Sequence, residues 1–264
     1  MSEAWREGLE RACGFVLSRG TPLEQLRARA LLGETPASAV TRALSEAGAL
    51  SGEDPEAAVR ALGVLDDLDQ LAGGEVEALA RTLSGSLSED GAWGDPSRSV
   101  EERIVLSGHL GGYLTKSLRV RPRVRAAVDG FLCRTWSPDR VKEGSWDPIA
   151  AYAHWFAVND SELSDAVLQW CGRELERGFR TRGFDALATA RVFVLCQAAA
   201  LPGASLSARE LCEALANEQT EEGGFALSAR ALTGAPVEAA LDGLTAWIRL
   251  GPAAAAEDAG GRSG

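Results

Sequence analysis

The chain has 264 residues, of which 45% are hydrophobic and 25% are charged, and its formal net charge is −11. This composition is typical of a soluble globular protein, while the negative charge argues against nucleic acid and anionic membrane surfaces as main partners, because both bind basic patches. No apolar stretch approaches the length of about 18 residues that a membrane span needs, and the N-terminal residues lack the apolar segment of a secretory signal.

Helix-forming residues dominate the chain, and strand patterns of alternating polarity are nearly absent. Glycine, proline and N-cap signals therefore predict an all-α protein, with a capping side chain before proline at Thr21-Pro22 and at Asp147-Pro148. Twelve helices are predicted, in chain order, over residues 3–18, 23–32, 36–48, 54–71, 74–87, 98–116, 121–135, 148–159, 162–177, 185–201, 206–218 and 235–250.

The five cysteines are odd in number and form no CxxC pair. We interpret them as reduced thiols, several of them buried as small apolar groups, and expect a cytoplasmic protein without a disulfide framework. They are Cys13, Cys133, Cys171, Cys196 and Cys212.

One basic run, KSLRVRPRVR from Lys116 to Arg125, interrupts this acidic chain. The simpler interpretation is a solvated linker followed by a helix start. The alternative is a contact with an anion or a diphosphate.

A short motif of glycine followed by an aromatic residue recurs along the chain. It occurs as EDGAWGD, KEGSWDP, RTRGFDA and TEEGGFA, with anchor glycines at Gly91, Gly144, Gly183 and Gly223 and intervals of 53, 39 and 40 residues. Each interval holds two predicted helices. Glycine permits a positive φ and a close backbone approach, and the aromatic ring then fills the gap between helices, so we interpret the motifs as structural joints.

The segment from Gln219 to Phe225, QTEEGGF, resembles the QW motif Q-x3-G-x-[W/F], which marks the repeats of squalene–hopene cyclases, class II terpene cyclases and protein prenyltransferase β subunits. Two other copies carry Leu87 and Arg140 in place of the glutamine. The resemblance implies an α/α toroid of about six helical hairpins, with an inner ring of helices around a central cavity and an outer ring around them. The inner helices would be 23–32, 54–71, 98–116, 148–159, 185–201 and 235–250.

We therefore expect a single toroid domain over residues 1–250, followed by a disordered tail over residues 251–264. The ligand expected from the resemblance is a hydrophobic small molecule, an isoprenoid, in the central cavity. This expectation also allows a protein partner, and it includes no nucleic acid, no membrane span, no cofactor and no metal site.

Polar and aromatic side chains on the predicted inner helices are the candidate site residues, because buried polar groups need partners or ligands and aromatic faces stabilise cations. The candidates for acid and base chemistry are Asp242, Glu238 and His109. The candidates for substrate binding are Glu102, Tyr113, Tyr152, His154, Trp155, Arg191 and Trp247. The alternative is that the aromatic residues and histidines belong to the core and that the carboxylates bond to neighbouring helices.

The catalytic signatures of the resembling families are altered here. The stretch LDDLDQL contains Asp66, Asp67 and Asp69 in the order DDLD, not DxDD. We interpret it as a solvated acidic helix end, with a general acid of raised pKa as the alternative. The D-x-C of a prenyltransferase zinc site does not occur, and Cys171, His109 and His154 would bind zinc only if the fold brought them together.

The leading hypothesis is a protein that binds or transforms isoprenoids, similar to terpene cyclases and prenyltransferases. One alternative is a non-catalytic toroid that serves as a receptor for a small molecule or peptide, or as an accessory subunit of a biosynthetic pathway. A second alternative is a carbohydrate-active toroid, which would need two facing carboxylates.

Overall fold

The structure is a computed structural model that describes residues 3–142, 145–225 and 236–260. Within these residues the protein consists of thirteen α-helices and no strand, which confirms the all-α class. The helices are α1 (Glu3–Arg19), α2 (Pro22–Leu31), α3 (Ala37–Glu46), α4 (Pro55–Asp67), α5 (Gly74–Gly85), α6 (Val100–Lys116), α7 (Pro122–Thr135), α8 (Pro138–Val141), α9 (Trp146–Val158), α10 (Ser164–Arg180), α11 (Ala186–Cys196), α12 (Ala208–Glu218) and α13 (Pro236–Gly260). None of these helices is long and apolar enough to cross a membrane.

Each of the twelve predicted segments overlaps one of these helices, and the sequence missed only the single turn α8. Helix α9 starts before Asp147, with Ser145 as its N-cap, so Asp147 lies in the first turn and does not cap it. Helix α11 ends early because Gln197 adopts a left-handed conformation with φ 51°. Helix α13 continues through Pro252 into an alanine-rich stretch that favours helix.

The chain divides into two compact units, one of residues 1–35 with 172–264 and the other of residues 36–171. Residues 251–260 of the expected tail are helical, and Ala254 among them is fully buried. The single toroid domain stays a prediction.

Two kinds of helix are present, which differ in how much of their surface is buried. In α9 every residue from Pro148 to Phe156 is buried, and α6 is buried continuously from Leu106 to Leu114. In α12, by contrast, only Ala208, Leu211, Cys212 and Leu215 are buried, at the spacing of one helix face. Helices α6 and α9 are thus enclosed on all sides over these stretches, while α12 is amphipathic.

In the unit of residues 36–171, α6 and α9 pack together through three glycines of α6. A Cβ atom at Gly108 would lie 2.6 Å from the carbonyl oxygen of Ala151. A Cβ at Gly111 or at Gly112 would lie 2.6 Å from the ring of Trp155 or of His154, respectively. Because these positions lack side chains, the two helices approach closely enough for their polar residues to meet.

The joint at Gly91 connects α5 to α6 within this unit. Gly91 has φ 87°, its N–H donates to the carbonyl of Ser88 at 2.9 Å, and the N–H of Ser88 donates to the carbonyl of Ala92 at 2.9 Å. A Cβ at Gly91 would lie 2.2 Å from the carbonyl oxygen of Ala127 in α7. Trp93, two residues after the glycine, is fully buried.

The joint at Gly223 in the other unit has the same construction. Gly223 has φ 94°, its N–H donates to the carbonyl of Thr220 at 3.0 Å, and the N–H of Thr220 donates to the carbonyl of Gly224 at 2.9 Å. A Cβ here would lie 2.2 Å from the carbonyl oxygen of Arg11 in α1. Phe225, again two residues on, is buried next to Gly243 of α13, where a Cβ would lie 2.3 Å from its ring.

In the joint between α10 and α11 the predicted anchor, Gly183, is off by one residue. The left-handed residue there is Arg182, with φ 59°, and its N–H donates to the carbonyl of Phe179 at 3.1 Å. Arg182, not Gly183, is therefore the position equivalent to Gly91 and Gly223, and Phe184 follows it by the same two residues. The fourth anchor, Gly144, lies outside the described residues.

Candidate functional site

Three of the candidate residues, His109, Tyr113 and His154, lie together in the unit of residues 36–171. The Nδ1 atoms of His109 and His154 are 3.2 Å apart, so one ring must donate and the other accept. The rings of Tyr113 and His154 meet edge to face, with centroids 4.5 Å apart. His154 is fully buried, and the other two side chains are almost so. The face shared by His109 and Tyr113, at i and i+4 on α6, is the signal that the sequence carried.

A buried ion pair continues this cluster toward α4. The Nζ of Lys116 lies 2.5 Å from Oδ2 of Asp66, and the two side chains are 5% and 6% exposed. The same Nζ is 5.5 Å from the ring centroid of Tyr113. We call this group of five side chains the polar cluster: Asp66, Lys116, Tyr113, His109 and His154.

The interpretation of the aspartates around residue 66 as a solvated helix end is wrong for Asp66 and Asp67, whereas Asp69 is exposed. Asp66 and Asp67 are the last residues of α4, and both are buried. The physical reason for Asp66 is its partner, since a buried carboxylate is tolerated when an ammonium neutralises it. Asp69, two residues beyond the helix, adopts a left-handed conformation with φ 57°. The sequence could not find Lys116 as the partner, because the two residues are 50 positions apart.

The ion pair of Asp66 with Lys116 is part of the chemistry of the polar cluster. The Lys116 ammonium donates to the Asp66 carboxylate at 2.5 Å, in a charge-assisted hydrogen bond. The two imidazoles can hold a proton between them, and the ring face of Tyr113 attracts positive charge. The cluster is thus suited to bind a polar or cationic group.

The two carboxylates proposed for acid and base chemistry lie on α13, in the other compact unit from His109. Arg27 of α2 donates to both carboxylate oxygens of Glu238, at 2.7 and 2.8 Å. Arg191 of α11 lies 3.9 Å from Asp242. Each carboxylate therefore has an arginine from a neighbouring helix, and these pairs join α13 to α2 and to α11.

The substrate-binding candidates Tyr152, Trp155 and Trp247 are fully buried. The hydroxyl of Tyr152 donates to Thr135 at 3.3 Å, and burial raises the pKa of this phenol to about 12. The indole N–H of Trp155 donates to Asp129 at 3.1 Å. That of Trp247 donates to the carbonyl of Cys212 at 3.4 Å. Their packing agrees with the alternative that they are core residues, and their contact with a ligand stays a prediction.

Glu102 serves the start of α6. Its carboxylate accepts from the N–H and the hydroxyl of Ser99, at 3.0 and 2.8 Å, and the Glu102 N–H donates back to that hydroxyl. This capping box lowers the pKa of Glu102, chiefly through the hydroxyl of Ser99. The side chain is exposed, whereas His109 and Tyr113 further along α6 are buried.

Two features of the site were missed from the sequence. Lys116 was assigned to a solvated basic run, although it lies three residues after Tyr113 on the same helix. The glycines at 108, 111 and 112 have the i, i+3, i+4 spacing of one helix face, which is a usable signal for a close helix contact.

Among the described residues, no group of three or more histidine, cysteine, aspartate or glutamate side chains is placed to hold a metal ion. Comparison of the chain with protein-family models, with curated proteins and with solved structures found no match.

Proposed function

We propose that the protein is an α/α toroid of the QW-repeat type that binds an isoprenoid without protonating it. The observation that carries this proposal is the shared construction of the joints at Gly91 and Gly223. Each has a glycine of positive φ against a helix carbonyl, the same two backbone hydrogen bonds, and an aromatic residue two positions on. Equal hydrogen bonding in two joints with different sequences supports a true structural repeat.

The helices against which the joints rest support a closed ring. Gly91 rests on α7, the helix that follows α6, while Gly223 rests on α1 from the other end of the chain. Helix α1 thus takes the place that a helix after α13 would take. In a toroid, the first helix and the last hairpin must meet in this way.

The pairing of the carboxylates favours binding over acid-initiated chemistry. Asp66, Glu238 and Asp242 each have a lysine or an arginine as partner. A general acid must be protonated before the reaction, and a nearby cation opposes protonation. Catalytic roles for Asp242, Glu238 and His109 stay predictions.

We place the polar end or the charge-bearing centre of the ligand at the polar cluster. Tyr113 offers an aromatic face, and His109 and His154 offer hydrogen-bonding nitrogens within one buried region. An isoprenoid with a hydroxyl, a diphosphate or a developing positive charge would find a complementary group there.

The test is native mass spectrometry of the purified chain with a panel of prenyl diphosphates and linear triterpenes. We expect at least one member to bind in a one-to-one complex, and Tyr113→Phe to lower its affinity by about threefold or more. The matched control is Tyr152→Phe, which changes the only other tyrosine of the chain, outside the polar cluster, and should leave the affinity unchanged. No binding across the panel by a folded protein contradicts the proposal.

The same ion pairs favour a second candidate, a non-catalytic receptor for another small molecule or for a peptide. The mass spectrum distinguishes the two. A co-purified ligand that is not an isoprenoid, lost on Tyr113→Phe, would support the receptor.

A further inference from the structure

The loop between α6 and α7 exposes a leucine among arginines. Leu118 is 88% exposed, whereas the other large exposed hydrophobic residue of the described chain, Val100, is 39% exposed. Leu118 also adopts a left-handed conformation with φ 57°, which is uncommon for a residue of its size. The fold therefore holds an apolar side chain in water on a backbone conformation that does not favour it.

The segment around Leu118 is basic, in contrast to the chain as a whole. Between Ser117 and Arg125 the sequence has four arginines and no acidic residue, although the whole chain carries −11. Arg119 pairs with Glu77 at 3.4 Å. Arg121, Arg123 and Arg125 are exposed, and within the described part of the chain no ion pair includes them. We call Leu118 and these three arginines the basic loop surface.

We infer that the basic loop surface docks on an anionic lipid bilayer, with Leu118 in the apolar layer and the three arginines at the headgroup phosphates. A bilayer is fluid, so a single apolar side chain can insert between the lipids without a matching pocket. The headgroup phosphates are likewise mobile and can pair with arginines that have no fixed geometry. A stable protein interface needs about 800 Å² from each partner, which a lone leucine does not supply. The observations thus favour a membrane over a folded protein partner.

The net charge of the chain favours one orientation of the protein on the bilayer, with the basic loop surface toward the lipid. Acidic surfaces are repelled by an anionic bilayer, while the basic loop surface is attracted within a Debye length of about 8 Å. The argument from net charge against anionic membranes holds for the average surface, and this loop is the local exception. The inference does not depend on the ligand proposed above, and its test contains no isoprenoid.

The test is co-sedimentation of the full chain with vesicles of phosphatidylcholine containing about one third phosphatidylglycerol. We expect binding to these vesicles and little to pure phosphatidylcholine. Replacing Arg121, Arg123 and Arg125 by glutamine should lower the partition coefficient by about tenfold or more. The control replaces the exposed Arg6, Arg29 and Arg42 by glutamine, which changes the net charge equally and should leave binding within about twofold.

A second pair of variants tests the apolar contact. Leu118→Ser should lower binding by about threefold or more, while Val100→Ser should leave it unchanged. Equal effects of the two arginine triples would show dependence on net charge alone and would overturn the inference. Absence of binding to the anionic vesicles, or its loss to competing inorganic phosphate at constant ionic strength, would overturn it as well.

Discussion

The joint at Gly91 rests on α7, the helix that follows α6, whereas the joint at Gly223 rests on α1 from the opposite end of the chain. In the second joint, Gln219 makes the connection. Its amide donates to the carbonyls of Gly8 and Gly223, at 2.8 and 3.0 Å, and its oxygen accepts from Arg11 at 2.8 Å. One side chain therefore links the end of α12, the joint and α1.

The first joint has Leu87 at the position of this glutamine, and other side chains make the hydrogen bonds that hold it. Arg134 of α7 donates to the carbonyl of Asp90 at 2.6 Å, and Arg103 of α6 donates to the carboxylate of Asp90 at 2.7 Å. The indole N–H of Trp93 donates to the carbonyl of Leu83 at 2.7 Å. The comparison teaches that the backbone of the joint is constant, while the side chains that hold it depend on the helix it meets.

The largest effect should come from the aromatic residues that both joints share. We expect Trp93→Ala to lower the free energy of unfolding by about 4 kcal/mol, because it leaves a cavity and removes the indole hydrogen bond. Phe225→Ala should cost about 3 kcal/mol, since the smaller ring makes no hydrogen bond. Urea denaturation measures both. A loss below about 1 kcal/mol for either variant would contradict a common role as a wedge.

The glycines test whether the two joints are equally close to their helices. Gly91→Ala and Gly223→Ala should each cost about 3 kcal/mol, from the positive φ together with a Cβ that meets a carbonyl oxygen. The control is Gly33→Ala, where φ is 75° and nothing lies within 4 Å of the added Cβ. It should cost only about 1 kcal/mol. If all three variants lose the same free energy of unfolding, the close approach of the helix carbonyl does not contribute to the cost.

The two joints differ at the position of the glutamine, which is Gln219 in one and Leu87 in the other. Gln219→Leu should cost about 2 kcal/mol, because the carbonyl of Gly8 and the side chain of Arg11 lose their partner. The reverse change, Leu87→Gln, should alter stability by about 0.5 kcal/mol or less, since no such partners are fixed there. The same denaturation curves decide this, and equal losses would mean that the joints do not differ in the way described.

The smallest effect is a pH dependence confined to the first joint. The hydrogen bond from Arg103 lowers the pKa of Asp90 below its ordinary value. A lowered folded pKa means that the stabilisation is present above the unfolded pKa of about 3.9 and is lost as the pH falls through the folded value. Because the Asp90 side chain is 46% exposed, we expect less than about 1 kcal/mol.

The measurement is the difference in unfolding free energy between the wild type and Asp90→Asn, at about pH 6 and about pH 2.5. The difference should shrink at the acidic value. A constant difference would show that Arg103 does not act through the charge of Asp90.

Local features of the chain were predictable because they depend on neighbouring residues. Thr21, the predicted cap, forms the capping box at the start of α2 together with Glu24, three residues later. The glycine–aromatic joints were also found by spacing. The left-handed position at Arg182 was not predicted, because the motif requires a glycine there and this joint has an arginine.

The sequence by itself determined twelve of the thirteen described helices, their order, two of the joints and the face of α6 that carries His109 and Tyr113. Only the tertiary structure decided the partners: Lys116 for Asp66, Arg27 for Glu238, Arg191 for Asp242. These pairs connect residues 50, 211 and 51 positions apart along the chain. Helix periodicity fixes which face a side chain occupies, but the charge that neutralises it comes from whichever helix packs against that face.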